Sequence, residues 1–256
     1  MNDELKISII TVAFNSEKTI RDTMKSIVNQ DYKNIEYIVI DGNSTDDTNQ
    51  IVREFADNVD IHISEDDEGI YDAMNKGIKS ASGDIIGILN SDDFYPNAYV
   101  LSNVAKTFKK HESDAVYGDL VYVNAKDTSK IKRYWQSGPY TTKKLKNGWM
   151  LPHPTFFVKS SIYEQFGLYN TSLHMAADYD MIIRLLYKFN ITANYMPMIL
   201  VKMRTGGASN ASIFDRLIAN KQDGLAWTKN QLNKPYFIRI KKPLQKIMQF
   251  FQKPKI

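Results

Sequence analysis

The chain reads as an α/β layer fold. Three observations predict it. Short, almost continuous apolar runs alternate with stretches of helical period; the runs end in clusters of acidic and small polar residues; and 43% hydrophobic with 24% charged residues is an ordinary globular composition. A chain of 256 residues buries roughly three quarters of its unfolded surface and needs no covalent staples. It contains no cysteine, which excludes thiolate catalysis and Cys-ligated zinc and fits a reducing compartment.

The elements follow in order. Lys6 to Phe14 is the first strand, Ile-Ser-Ile-Ile-Thr-Val-Ala-Phe within it, and Ile20, Met24, Ile27 and Val28 then mark one helical face. Ile35 to Ile40 is a second buried strand running into Asp41-Gly-Asn-Ser-Thr-Asp-Asp. Ser44 and Asp47 there have capping-box spacing for the next helix. Val59 to Ser64 is the third strand. Ile70, Ala73, Met74, Gly77, Ile78 and Ala81 give a helix, and Ile85 to Leu89 is a fourth strand ending in Asn90-Ser-Asp-Asp. Beyond about residue 114 the pattern changes. Ala115 to Val123 and Lys130 to Trp135 read as an antiparallel pair, followed by a loop into Pro152-His-Pro-Thr-Phe-Phe, a helix around Tyr179 to Phe189, and a strand near Leu200 to Met203. No internal repeat is present. One domain over 1–233 is expected, in two halves of about 1–113 and 114–233, with a tail at 234–256.

Charge is distributed unevenly. The tail carries seven basic residues and no acid, leaving 26 basic and 29 acidic side chains in the body, so the body has no case for binding nucleic acid. Leu244, Ile247, Met248 and Phe251 fall on one helical face after Pro243, and Lys242 and Lys246 fall on others, the pattern of a basic amphipathic helix that lies on an anionic leaflet. The first six residues do not resemble a signal peptide, and no apolar run approaches a bilayer span. A cytoplasmic protein with peripheral attachment at the inner face of the plasma membrane is the expectation.

Three of four strands deliver acids just past their carboxyl ends, the edge where open α/β sheets bind ligands. Any one of Asp41, Asp67, Asp92 or Asp93 reads by itself as a solvated loop residue or a cap. Together they form an oxygen-rich site where a hard cation and a diphosphate would fit, suiting a nucleotide-linked substrate.

These residues resemble the inverting glycosyltransferases of family 2, built on the GT-A fold, over roughly Lys6 to Asn210. Ile-Thr-Val-Ala-Phe-Asn at 10–15 is similar to the first nucleotide-binding strand, with Ala13 and Phe14 at its end. Asp41-Gly-Asn-Ser-Thr-Asp-Asp-Thr is similar to the acidic turn of the second strand, and Asp67-Glu-Gly-Ile-Tyr-Asp-Ala-Met-Asn-Lys-Gly to the segment that closes on the nucleoside. Asn90-Ser-Asp-Asp resembles the metal motif, departing from it at Asn90. The resemblance implies base contact by Asp41, nucleoside contact by Asp67, ribose contact by Asp92 and a Mn²⁺ or Mg²⁺ ion on Asp93. His153-Pro-Thr-Phe-Phe and Ala176-Ala-Asp-Tyr-Asp resemble the acceptor half, which implies Asp178 as general base, where helix capping by Asp178 and Asp180 is the bland alternative.

Arg204, in Met203-Arg-Thr-Gly-Gly, suits a diphosphate contact or a solvated loop; His153 suits a wall of the acceptor site; and Arg184 suits an ion pair. His62 and His111 read as structural, His174 as packing near Asp178, and no pair of histidines has zinc spacing. Tyr134, Trp135, Tyr140 and Trp149 suit either sugar stacking or the core. The expected partners are a nucleoside-diphosphate sugar donor and a glycan or lipid-linked saccharide acceptor, in cell-surface polysaccharide assembly. Phe14-Asn-Ser-Glu after the first strand lacks the glycine-rich turn of a dinucleotide fold. The rival is a non-catalytic carbohydrate-binding protein on a degenerate transferase fold, whose expected mark is loss of the base or metal carboxylates.

Overall fold

The computed structural model describes residues 4–206, 213–236 and 249. Its first part alternates regularly: β1 (Ile7–Ala13), α1 (Ile20–Val28), β2 (Ile35–Asp41), α2 (Thr48–Arg53), β3 (Ile61–Ser64), α3 (Ile70–Ser80) and β4 (Ile85–Ile88). The strands β3, β2, β1 and β4 lie side by side and parallel, with Ala13 level with Asp41 and Asp41 level with Ser64. Register therefore delivers the ends of β1, β2 and β3 to one rim.

The second part is mixed. It comprises β5 (Asp93–Phe94), α4 (Val100–His111), β6 (Ala115–Val123), β7 (Ile131–Trp135), α5 (Thr142–Lys146), β8 (Phe157–Lys159), α6 (Ser160–Phe166), α7 (Ala177–Ile182), β9 (Ala193–Arg204) and α8 (Ile213–Lys229). The sheet continues from β4 through antiparallel β8 to β6, β9 and β5. β6 runs parallel to β9 and antiparallel to β7, the hairpin partner expected from sequence. One sheet thus joins both halves of the chain.

Both faces of β1, β2 and β4 are buried, which is why these strands read as nearly unbroken apolar runs, whereas β3 at the sheet edge alternates. Ile10 and Val12 of β1 face Met74 and Ile78 of α3, while Ile7 and Ile9 face Met24 and Ile27 of α1. Gly77 allows α3 to approach, because a methyl group there would collide with Ile10. At the opposite rim from the acids, Glu36 is buried under donors: Lys6 Nζ at 2.8 Å, Ser8 Oγ at 2.5 Å, and the Ser82 amide at 2.7 Å together with its hydroxyl. Burial alone would raise its pKa; the donors overcome that and hold it at about 2.

Several boundaries differ from expectation. The capping box does not form: Asp47 stands at the N-cap of α2 without a side-chain cap bond, and the Ser44 hydroxyl donates to Asp41 instead, at 2.5 Å. β3 begins at Ile61, and β9 starts seven residues before Leu200 because the whole length of β6 is available for pairing. α7 passes directly into a π-helical turn over Ile183–Lys188. The tail helix expected around 243–251 lies outside the described residues except for Gln249, whose carbonyl accepts the Tyr134 amide of β7 at 3.2 Å.

Candidate active site

The donor side is built at the carboxyl ends of β1 and β2. Past the buried Ala13, Phe14 is 63% exposed. Gly42 follows Asp41, and a methyl group there would collide with the Asp67 carboxylate and touch the Phe14 ring, so these three residues converge. Asp67 folds back to accept the Gly69 amide at 2.8 Å. Asp41 has no accessible surface. It accepts Ser44 N (2.9 Å), Ser44 Oγ (2.5 Å), Asn49 Nδ2 (2.7 Å) and Ser64 Oγ (2.7 Å). Burial would raise its pKa, and these donors together bring it below the ordinary value. The carboxylate thereby ties the turn after β2 to the end of β3.

The turn after β4 is arranged otherwise. Ser91 shares a hydrogen bond with Ser16 at 2.8 Å, and the Thr23 hydroxyl of α1 serves the carbonyls of Ser91 (3.0 Å) and Asp93 (2.7 Å). The backbone is thereby fixed, yet both oxygens of the Asp93 carboxylate are buried without a hydrogen-bond partner, as is Oδ1 of Asn90. Burial first, and the charge of Asp92 second, push the Asp93 carboxyl well above the usual carboxylate range, against opposition from Arg204. Burial also raises Asp92. Arg204 is only 7% exposed, so the solvated-loop reading fails. Its guanidinium donates to the Asp92 carbonyl at 2.7 Å and to Asp22 at 2.5 Å, and lies 4.7 Å from the centre of the Phe94 ring.

On the acceptor side, Asp178 and Asp180 lie in the first turn of α7, and neither caps it. Asp178 receives the Tyr71 hydroxyl at Oδ1 and faces His153 Nδ1 at Oδ2, each at 3.2 Å. Asp180 points into the body, where it pairs with Arg184 at 3.3 Å and accepts Asn230 of the chain after α8 at 2.8 Å. The ion-pair expectation for Arg184 is met.

Register connects the two sides. Arg133 of β7 is level with Tyr122 of β6, Tyr122 with Met203 of β9, and Met203 with Asp93 of β5. Residues paired in this way project to the same face of a sheet. The Arg133 guanidinium sits 3.7 Å from the centre of the Tyr122 ring. Burial raises the Tyr122 hydroxyl, Arg133 opposes this, and the charges of Asp93 and Asp178 both add to it.

Tyr71, Tyr122 and Arg133 escaped the sequence reading. Tyr71 lies inside the segment beginning at Asp67, four residues on, and was findable there; Tyr122 and Arg133 come together only through strand register. The four acceptor-side aromatics belong to packing. Tyr134 donates to Asp119, Tyr140 to the Ile191 carbonyl and Trp149 to the Ser137 carbonyl, and Trp135 packs on the core shared with α1 and α4.

The sequence profile of Glycosyl transferase family 2 matches residues 8–166, well over half of the chain. This protein belongs to that family. It is accordingly a glycosyltransferase, and the matched segment holds Asp41, Asp67, Asp92, Asp93 and His153, whereas Asp178 and Arg204 lie beyond it. A PGL/p-HBAD biosynthesis glycosyltransferase of Mycobacterium bovis is 29% identical over 214 residues, covering 82% of this chain and 80% of its own. An uncharacterized glycosyltransferase of Mycobacterium tuberculosis is 32% identical over 180 residues, covering 70% and 68%.

Among solved structures, S. aureus TarS 1-349 in complex with UDP-GlcNAc superposes with a TM-score of 0.70 at 20% identity, covering 90% of this chain and 68% of that one. The mannosyltransferase PcManGT of Pyrobaculum calidifontis, in complex with GDP-Man and Mn²⁺, gives 0.67 at 18% identity, covering 97% and 70%. The fold is that of these sugar transferases, the GT-A architecture. Among the described residues no helix is long and apolar enough to cross a membrane.

Proposed function

We propose that the protein moves a hexosyl group from a nucleoside-diphosphate sugar to an acceptor hydroxyl with inversion. The observation that carries this reading is a pair of differently furnished carboxyl groups: Asp178, held at both oxygens by Tyr71 and His153, and Asp93, fully buried with no close hydrogen bond. In the reaction Asp178 takes the proton from the acceptor hydroxyl as its oxygen attacks the anomeric carbon. The bond from that carbon to the diphosphate breaks, and the diphosphate leaves with the electron pair. Phe14, Ala13, Asp67 and Asp92 line the nucleoside side. Asp41 organises the turn that they share, and His153 borders the acceptor.

The oxygens of Asp93 and Asn90 fit a hard divalent cation, since Mg²⁺ and Mn²⁺ are commonly held by one or two protein oxygens together with substrate phosphates. Asn90 keeps an oxygen donor where the family motif has an aspartate. When bound, such an ion offsets charge on the leaving diphosphate. Arg204, beside Asp93 and tethered to the exposed Asp22, is placed to add a second cation on that side. Donors bound by the structural neighbours, UDP-GlcNAc and GDP-Man, support the hexosyl class. A glycan or lipid-linked acceptor in cell-surface polysaccharide assembly, approached through the basic tail at an anionic membrane, completes the proposal.

A thermal-shift screen of UDP-, GDP- and dTDP-sugars identifies the donor by mass action. With that donor, Asp178→Asn lowers turnover at least about a hundredfold while donor affinity holds. Asp180→Asn keeps most of its turnover but melts at a lower temperature, because Arg184 loses its charge partner. Normal turnover in Asp178→Asn would overturn the assignment of the base.

A further inference from the structure

We infer that Tyr71 is a positioning residue for the base, and that α3 links seating of the donor to the orientation of Asp178. The inference deepens the proposed function and rests on Asp178 being the base. Three contacts run from α3 into the acceptor half. The Tyr71 hydroxyl donates to Asp178 Oδ1 at 3.2 Å. Its ring stacks on Tyr169, with centroids 5.7 Å apart and planes at 22°. Asn75, one turn on, meets the Tyr169 backbone twice, donating to its carbonyl and accepting its amide, both at 2.9 Å. Residues four apart share a helix face, so this is one continuous strip of α3.

The other end of α3 is fixed to the donor side. Gly69 stands at its N-cap with φ of +111°, a conformation that a side chain would strain, and its amide is held by Asp67. Lys76 reaches back to the Asp66 carbonyl at 2.6 Å and to Glu65 at 2.8 Å, so the 65–69 loop and α3 form one unit. Asp67 in turn lies over Gly42, on which the Phe14 ring also converges. A nucleotide seated there presses on a segment whose fifth residue holds the base. Tyr71 occupies Oδ1 and His153 faces Oδ2, which fixes the plane of the carboxylate and thereby directs its remaining lone pairs.

Tyr71→Phe keeps the ring and its stacking and removes only the hydroxyl. Using the full chain, the nucleotide sugar selected by the thermal-shift screen and water as acceptor, kcat should fall about tenfold with the donor KM within about twofold. A hydrogen bond to the charged form favours that form, so its loss should move the acidic limb of kcat/KM upward by about half a pH unit or more. In an Asp178→Asn background the same substitution should cost less than about twofold, because the group that it positions is already disabled. Equal losses in both backgrounds, or an unmoved acidic limb with an unchanged melting temperature, would overturn the role of Tyr71 while leaving the base in place. Unimpaired Asp178→Asn would instead remove the base assignment itself.

Discussion

β2 and β4 flank β1 in the same parallel sheet, and the chain buries an aspartate completely at the end of each, Asp41 as the last residue of β2 and Asp93 just beyond the turn that follows β4. Around Asp41 every local donor turns inward, so its charge is satisfied by protein alone. Around Asp93 the local hydroxyls of Thr23, Ser16 and Ser91 serve the backbone or one another, and the carboxyl is left with no close hydrogen bond, only weaker approaches from the Arg204 backbone and the Asn90 side chain. Burial of that carboxyl holds it toward its protonated form, and a bound cation would reverse this and favour the carboxylate. The difference separates an acid that shapes the site from one that waits for a ligand.

The sharpest way to break this comparison is substitution at both positions. Asp93→Ala should lower transfer at least about a hundredfold, with no recovery in excess Mn²⁺, and yet leave the melting temperature unchanged or higher because an unpartnered carboxylate is gone. Full activity of that variant in chelator, or a marked fall in its melting temperature, would show that Asp93 is structural. Asp41→Ala should behave in the opposite way, strongly destabilising the fold by about 4 kcal/mol as Ser44, Asn49 and Ser64 lose their acceptor. Urea titration reads this directly, and a loss below about 1 kcal/mol would deny Asp41 its organising role.

Glu36, at the opposite rim, provides a titratable version of the Asp41 case. Its folded value of about 2 lies below the ordinary carboxylate value of 4.5, so its contribution is complete above that ordinary value and is lost as pH falls toward 2. Up to about 3 kcal/mol of stability should disappear across that window, and Glu36→Gln should flatten the curve there. An unchanged acid limb in the variant would mean that other groups carry the acid transition. The smallest expected effect belongs to Gly42→Ala: by displacing Asp67 from the donor rim, it should raise the donor KM a few-fold, about 1 kcal/mol, and leave kcat close to normal. An unchanged KM would indicate that Asp67 does not line the bound nucleoside.

The parallel half was legible because strands buried on both faces leave an unmistakable apolar run, and because Asp41, Asp67, Asp92 and Asp93 follow such runs directly. Helices α1 and α3 were equally plain from Ile20, Met24 and Ile27 and from Ala73, Met74 and Ile78, whose spacing matches their burial. The two-residue β5 was not legible, since a strand so short has no periodicity of its own and exists through its pairing with β9. For the same reason Tyr122 and Arg133 could not be assigned: each has an ordinary sequence context, and only cross-strand pairing brings them level with Asp93. Ser44 misled because its hydroxyl had two suitors, an α2 amide and the Asp41 carboxylate, and a charged acceptor forms the stronger bond.

The bond from the Tyr134 amide to the Gln249 carbonyl bears on how the tail is to be studied. Among the described residues β7 pairs with β6 alone, so its outer side is an open ladder, and the tail supplies a rung of it. Shortening the chain before residue 249 removes a basic segment and at the same moment bares a strand edge that invites another molecule to dock there. A shortened protein that pellets with vesicles can therefore do so by self-association, with no lipid involved. Charge reversal at Lys242 and Lys246 leaves that rung in place, and is the cleaner way to ask whether the tail meets a membrane.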